Sequence, residues 1–176
     1  MGILSRLFGS RATAQPNQRS ADAGRQLRQM MLTTLPESVD QRPTDDFPRV
    51  YGVLMDWPIG DQVATIFSSS TGAASLYTTS TFGIIGGEGH EPVRAAAIAF
   101  VRAADRLFDA STPTGVFPYP EAERVRFYLL TFEGVRVVEA DVASIHDGTG
   151  NYAQVFSLGQ EVLTQLRLVV EQRPLT

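Results

Sequence analysis

The order of sequence patterns predicts an α+β fold, a two-layer sandwich in which a five-stranded, mainly antiparallel sheet carries two helices on one face. Short segments rich in β-forming residues are separated by tight turns, as in an antiparallel meander. Two long segments instead repeat their apolar residues at helical spacing. The predicted order is β-β-β-α-β-β-α, within one domain at residues 49–176 that follows an N-terminal arm at residues 1–48.

Five segments are predicted to form the strands. The first three are residues 50–57, 63–68 and 74–82, and Pro58 is expected to end the first because proline cannot continue a central strand. The other two, residues 125–132 and 135–140, are joined by Glu133-Gly134, which predicts a tight hairpin.

Two segments are predicted to form the long helices, residues 92–109 and 152–171. Pro92 suits the first turn of a helix, where its missing N–H is not needed. Each segment has one apolar stripe and a largely polar opposite side. Gly159 interrupts the second helix at a cost of about 1 kcal/mol, unless close packing at that position requires it.

The arm is predicted to be mostly irregular. Residues 10–23 have a linker composition, residues 24–33 are compatible with a short helix, and residues 36–48 are broken by three prolines. The first eight residues form an amphipathic patch, because four large apolar residues share one side of a helix: Ile3, Leu4, Leu7 and Phe8. So short a helix is stable only against a surface, which a partner, a membrane or the protein's own domain could provide.

Charge is distributed unevenly and limits the classes of partner. Residues 1–28 carry five arginines against one aspartate, a net charge of +4, whereas residues 29–176 carry ten arginines against eighteen acids, a net charge of −8. An acidic domain repels phosphate backbones, so nucleic-acid binding by the domain is not expected. Membrane contact is expected only through residues 1–8.

Cysteine and histidine usage narrows the chemistry further. The chain has no cysteine, which excludes disulfides and a cysteine nucleophile, and it has only two histidines, His90 and His146. We therefore expect no metal site and no cofactor. With no secretory signal apparent, a cytoplasmic location is expected.

The most unusual local motif is a glycine-rich turn directly before the first long helix. Gly86, Gly87, Gly89 and His90 are candidate ligand-binding residues, because a helix N-terminus attracts anions. His90 is the candidate catalytic residue if the protein is an enzyme. The motif matches neither a Walker A loop nor a dinucleotide-binding fingerprint, and a purely structural turn is the simpler interpretation.

The segment at residues 127–132 is apolar on both alternating sets of side chains, so both faces of the sheet should need a cover. Tyr128, Leu130 and Phe132 are expected to point away from the two helices and to lie under another chain or under the arm. These three residues, together with Ile3, Leu4, Leu7 and Phe8, are the candidate interface.

The function predicted on this basis is that of a small, non-enzymatic protein–protein interaction or accessory-subunit domain, with a protein partner or a homodimer. Two alternatives remain open: a ligand-binding protein or enzyme with its site at residues 86–91, and a peripheral membrane protein held by residues 1–8. The layout resembles profilin-like and longin-like domains, including the roadblock type, in fold alone. Those domains place two strands before the first long helix and three after it, whereas this chain has three and two.

Overall fold

A computed structural model describes residues 16–80, 83–86, 89–148 and 150–171, and within them the chain has the predicted α+β fold with one open antiparallel sheet. The strands are β1 Val50–Ile59, β2 Gln62–Ser69, β3 Ala74–Thr78, β4 Ile84–Ile85, β5 Thr112–Pro113, β6 Arg124–Thr131 and β7 Gly134–Asp141. The helices are α1 Pro16–Thr33, α2 Glu91–Ala104, α3 Val142–His146 and α4 Gly150–Glu171. Single 3₁₀ turns cover Pro36–Val39 and Asp105–Leu107. The strand order is β4-β3-β2-β1-β6-β7-β5, which places β1 at the centre.

The sheet differs from the five-stranded prediction at its edges and at Pro58. The five longer strands correspond to the predicted ones, although β3 ends at Thr78 instead of continuing to residue 82, and the two-residue strands β4 and β5 add one strand to each edge. β1 continues through Pro58, which pairs with Val63 of β2. Pro58 is tolerated because the pairing of β1 with β6 ends at Asp56, so beyond that point the strand has a neighbour on one side only.

The first face of the sheet carries α2 and α4, as predicted, and encloses the main core. Fully buried side chains from the central strands, such as Met55 and Phe127, meet Phe100 of α2 and Leu166 of α4. Gly159 lies at the closest approach of α4 to this layer, where a methyl group would come within 2.6 Å of the Met55 side chain and 3.1 Å of Phe100. Close packing therefore explains the glycine inside α4.

The second face of the sheet is also covered, which makes the two-layer description incomplete. α1 combines the segment expected to form a short helix, residues 24–33, with part of the expected linker; it packs on this face beside β3, and the loop at residues 114–120 packs near it. Beneath them lies a second apolar cluster of buried residues: Leu32, Tyr51, Leu54, Tyr128 and Leu130.

Candidate functional site

A buried ion pair attaches α1 to the centre of the sheet. Arg28 of α1 donates from Nε to Asp56 Oδ1 at 3.2 Å and from Nη2 to Asp56 Oδ2 at 2.5 Å. The Thr65 hydroxyl donates to Asp56 Oδ1 at 2.5 Å, so the carboxylate is also held from β2. The Asp56 side chain is fully buried and Arg28 is 3% exposed. The pair is thus sealed from solvent and positions α1 rather than meeting a substrate.

The same guanidinium holds the 114–120 loop. Arg28 Nη1 donates to the Phe117 carbonyl oxygen at 3.0 Å, and the guanidinium carbon lies 4.1 Å from the centroid of the Tyr119 ring. The Tyr128 hydroxyl donates to the Pro118 carbonyl oxygen at 2.6 Å. One arginine therefore joins α1, the sheet and the loop, and its cation–π contact adds to the ion pair.

Burial and ion pairing shift the pKa values of Asp56 and Arg28 in opposite directions. Burial raises the pKa of the Asp56 carboxyl, while hydrogen bonds from Arg28 and Thr65 oppose that rise. Burial alone would lower the pKa of Arg28, but Asp56 outweighs it and the pKa is raised. Arg28 therefore stays charged, and its loss would leave a buried carboxylate without its cation.

Close backbone packing sets the position of the other half of α1. Gly24 faces the end of β3, where a methyl group in place of its hydrogen would lie 2.9 Å from the Thr78 carbonyl oxygen. Nearby, Arg25 Nη1 donates to the Thr79 carbonyl oxygen at 3.2 Å. The helix thus lies directly on the strand backbone.

Where α1 ends, its C-terminal turn, the following 3₁₀ turn and the second face of the sheet enclose a cavity of about 540 Å³. We call this cavity the α1 groove. Met30 and Val39, which line it, are 48% and 49% exposed, so two large apolar side chains face solvent beside the cavity. Its apolar lining comes from Met30, Met31, Val39, Tyr51, Phe67 and Leu130.

Polar groups in the α1 groove are already paired within the protein. Ser69 Oγ and Thr71 Oγ1 lie 2.8 Å apart and share a hydrogen bond. Ser70 Oγ donates to Gln41 Oε1 at 2.7 Å. The groove therefore offers apolar surface to an occupant and few free hydrogen-bonding groups.

The segment that follows α1 beside the groove is acidic overall. Residues 34–48 carry four acids against one arginine, and two of these acids are paired, Asp40 with Arg42 and Asp46 with Arg102. Burial raises the pKa of Tyr51 to about 12, and the negative charge of Glu37 contributes to the rise. This segment favours an occupant that carries positive charge next to its apolar side chains.

The glycine-rich turn is an open surface in the part that the structure describes. Gly86, Gly89 and His90 are all exposed, and Gly87 lies outside the described residues. His90 stands at the N-terminal boundary of α2, where its carbonyl oxygen accepts from the Arg94 N–H and its side chain makes no capping hydrogen bond. Residues 86, 89 and 90, the described part of this turn, thus present an exposed surface rather than an enclosed arrangement.

The predicted interface residues that the structure describes lie beneath other parts of the same chain. Tyr128 is fully buried and Leu130 is 3% exposed, while Phe132 is partly buried and packs 5.3 Å from Tyr51, between ring centroids. Their cover comes from within the chain, through α1 and the 114–120 loop. The other predicted interface residues lie outside the described residues: Ile3, Leu4, Leu7 and Phe8.

The described residues also bear on metal binding, on the two histidines and on membrane-spanning helices. These residues contain no group of three histidine, aspartate or glutamate side chains placed to hold a metal ion. His90 and His146 are both exposed. Among the described helices, none has the length and apolar character to cross a membrane.

Sequence reasoning missed Arg28 and, apart from Leu130, the apolar residues that form the α1 groove. Met30 and Met31 were assigned to a short helix, and Tyr51 and Phe67 to strands, but no pattern placed them together. The adjacent methionines on an otherwise polar segment were the available signal, because flexible methionines are frequent at binding surfaces. No family model, curated protein or solved structure matches this chain.

Proposed function

We propose that this protein is a non-enzymatic accessory module that binds a protein partner through the α1 groove. The observation that carries the proposal is the combination of a half-enclosed apolar cavity with two largely exposed rim side chains, Met30 and Val39. Apolar surface of this kind on a small protein is typical of interaction sites. A cytoplasmic location is part of the proposal.

The occupant is inferred from the chemistry of the groove. Because Ser69 Oγ, Ser70 Oγ and Gln41 Oε1 are already engaged in hydrogen bonds, an apolar segment fits better than a polar ligand. The acidic segment beside the groove favours arginine or lysine beside the apolar residues. An amphipathic basic helix that inserts side chains spaced three and four residues apart meets both requirements.

The groove supports this function better than the glycine-rich turn supports an enzyme. A catalytic histidine needs a hydrogen-bonded partner and a site from which water is partly excluded. The exposed His90 side chain lies on an open surface. The ion pair between Arg28 and Asp56 is buried and joins α1 to the sheet, which supports a structural role for both residues.

A peptide-display selection on the full-length protein, with the Met30→Glu variant for counter-selection, tests the proposal. We expect enrichment of peptides that have apolar residues at helical spacing and flanking basic residues. Met30→Glu should weaken their binding at least about tenfold, which corresponds to 1.4 kcal/mol. Gln29→Glu, which adds the same charge at the neighbouring exposed position of α1, should leave binding unchanged.

Two outcomes would contradict the proposal. One is a selection that enriches no peptide over the counter-selected background. The other is equal binding of the enriched peptides to wild type and Met30→Glu. Light scattering separates a foreign partner from a second copy, because a homodimer formed through the groove should dissociate in Met30→Glu and persist in Gln29→Glu.

A further inference from the structure

We propose that, in the free protein, the α1 groove is occupied by the chain's own N-terminal segment, residues 3–8, which a partner must displace. This inference rests on the proposed function, because it assigns an occupant to the same groove. The segment has the chemistry inferred for a partner: Ile3, Leu4, Leu7 and Phe8 are apolar at helical spacing, Arg6 lies among them, and Arg11 follows shortly after.

Charge favours this occupant. Residues 1–15 contain two arginines and no acid. In the 34–48 segment beside the groove, Asp40 pairs with Arg42 and Asp46 with Arg102, whereas among the described residues neither Glu37, which acts on Tyr51 of the groove, nor Asp45 forms an ion pair. A basic segment placed there therefore gains favourable electrostatic interactions over a short distance.

The length of chain before α1 is sufficient to reach the groove. From Pro16, where α1 begins, to Met30 at the rim is fourteen residues of helix, or about 21 Å at 1.5 Å per residue. The connection from Phe8 to Pro16 spans about 26 Å when extended. Residues 9–15 can thus run back along α1 and bring the apolar patch to the groove.

Attachment to the same chain strengthens such a contact. A short, weakly binding segment reaches a high effective concentration at a site within the span of its linker. The eight-residue patch is too short to be a stable helix alone, and the groove supplies the apolar surface that it needs. This arrangement makes the segment a built-in competitor, since a partner binds only to the fraction of molecules with an open groove.

The test uses the full-length chain and the neutral solvatochromic dye Nile red. The variant Leu7→Asp/Phe8→Asp should free the groove and tighten dye binding. If the segment occupies the groove nine-tenths of the time, binding should tighten about tenfold. Thr13→Asp/Gln15→Asp adds the same charge to the arm outside the apolar patch and should bind the dye as wild type does.

Two further measurements locate the dye in the groove. Met30→Glu, added to Leu7→Asp/Phe8→Asp, should abolish the additional dye binding. A synthetic peptide of residues 1–12 should displace the dye from Leu7→Asp/Phe8→Asp.

The outcomes separate this inference from the proposed function. Suppose that Leu7→Asp/Phe8→Asp binds dye as wild type does, while Met30→Glu weakens dye binding in both backgrounds. The groove is then a binding site, as the proposed function requires, but residues 3–8 do not occupy it and the inference is wrong. If Met30→Glu changes dye binding in neither background, both the inference and the proposed function are wrong. A third outcome would assign the segment to membranes and overturn the inference. In it, wild type cosediments with anionic phospholipid vesicles, Leu7→Asp/Phe8→Asp does not, and the two proteins bind the dye equally.

Discussion

Replacing Arg28 by methionine is expected to destabilise the protein by about 3–5 kcal/mol, because the change leaves the fully buried Asp56 carboxylate without its cation. The substitution also removes the hydrogen bond to the Phe117 carbonyl oxygen and the cation–π contact with Tyr119. The double variant Arg28→Met/Asp56→Asn should lose less stability than Arg28→Met alone, because it removes the stranded charge.

Urea unfolding followed by tryptophan fluorescence measures these differences. The single tryptophan, Trp57, packs edge-on against Phe156 of α4 at 5.1 Å between ring centroids, so its fluorescence reports the main core. Arg49→Met is the matched control: its ion pair with Asp105 is partly exposed, and its loss should cost about 1 kcal/mol or less.

The effect of Arg28→Met should also depend on pH. Burial raises the pKa of Asp56, and removing Arg28 removes a hydrogen bond that opposes the rise. A carboxyl whose pKa is raised in the folded state stabilises that state at low pH and loses this contribution as pH rises through the folded pKa. The stability gap between wild type and Arg28→Met should therefore widen as pH rises above the range in which an ordinary aspartate titrates. A variant within about 1 kcal/mol of wild type at pH 8 would refute the account of how α1 is anchored.

Three other substitutions test separate parts of the structure. Phe100→Ala should destabilise the main core by about 3–5 kcal/mol in urea unfolding, and an unchanged midpoint would mean that α2 packs by another face. His90→Ala should change stability by less than about 0.5 kcal/mol and leave binding of groove-selected peptides unaltered, whereas a loss of binding would move the site to the glycine-rich turn. Because the pKa of Tyr51 rises from 10.0 to about 12 in the folded protein, the stability of wild type relative to Tyr51→Phe should fall as pH rises through that interval. A pH-independent difference in urea unfolding would show that Tyr51 is not buried at the groove.

Patterns with a clear period were sufficient to predict the long strands and the helices α2 and α4. β6 alternates Phe127 and Leu129 toward the main core with Tyr128 and Leu130 toward the other face, and the need for a second cover followed from that alternation. α2 and α4 each bury an apolar stripe at helical spacing. In these elements, local pattern and tertiary packing agree.

The helix that provides the second cover lacked such a pattern. Its buried positions follow helical spacing, but they are occupied by Ala21, Gly24, Arg28 and Leu32, of which one is charged and one is glycine. A search for apolar periodicity passes over this stripe. The decisive contact joins Arg28 to Asp56, a partner from another element, and no local signal indicates that pairing.

The groove was unpredictable for the same reason. Its walls come from α1, the 3₁₀ turn at Pro36–Val39 and three strands, so it exists only once the second cover is in place. Sequence reasoning required a cover over Tyr128 and Leu130 and proposed the arm or another chain. The structure shows α1, which belongs to that arm, in this position, and the α1 groove is the apolar space left where α1 ends.

Methyl NMR of the full-length protein tests the central claim, docking at the α1 groove, most directly. The chain has four methionines; Met30 and Met31 line the groove, whereas Met55 is buried on the opposite face of the sheet beside Gly159. With [¹³C-methyl]methionine labelling and the tightest peptide from the display selection, we predict saturable shifts of the Met30 and Met31 signals and a constant Met55 signal. Unchanged Met30 and Met31 signals at saturating peptide, or an equal shift of Met55, would contradict docking at the groove.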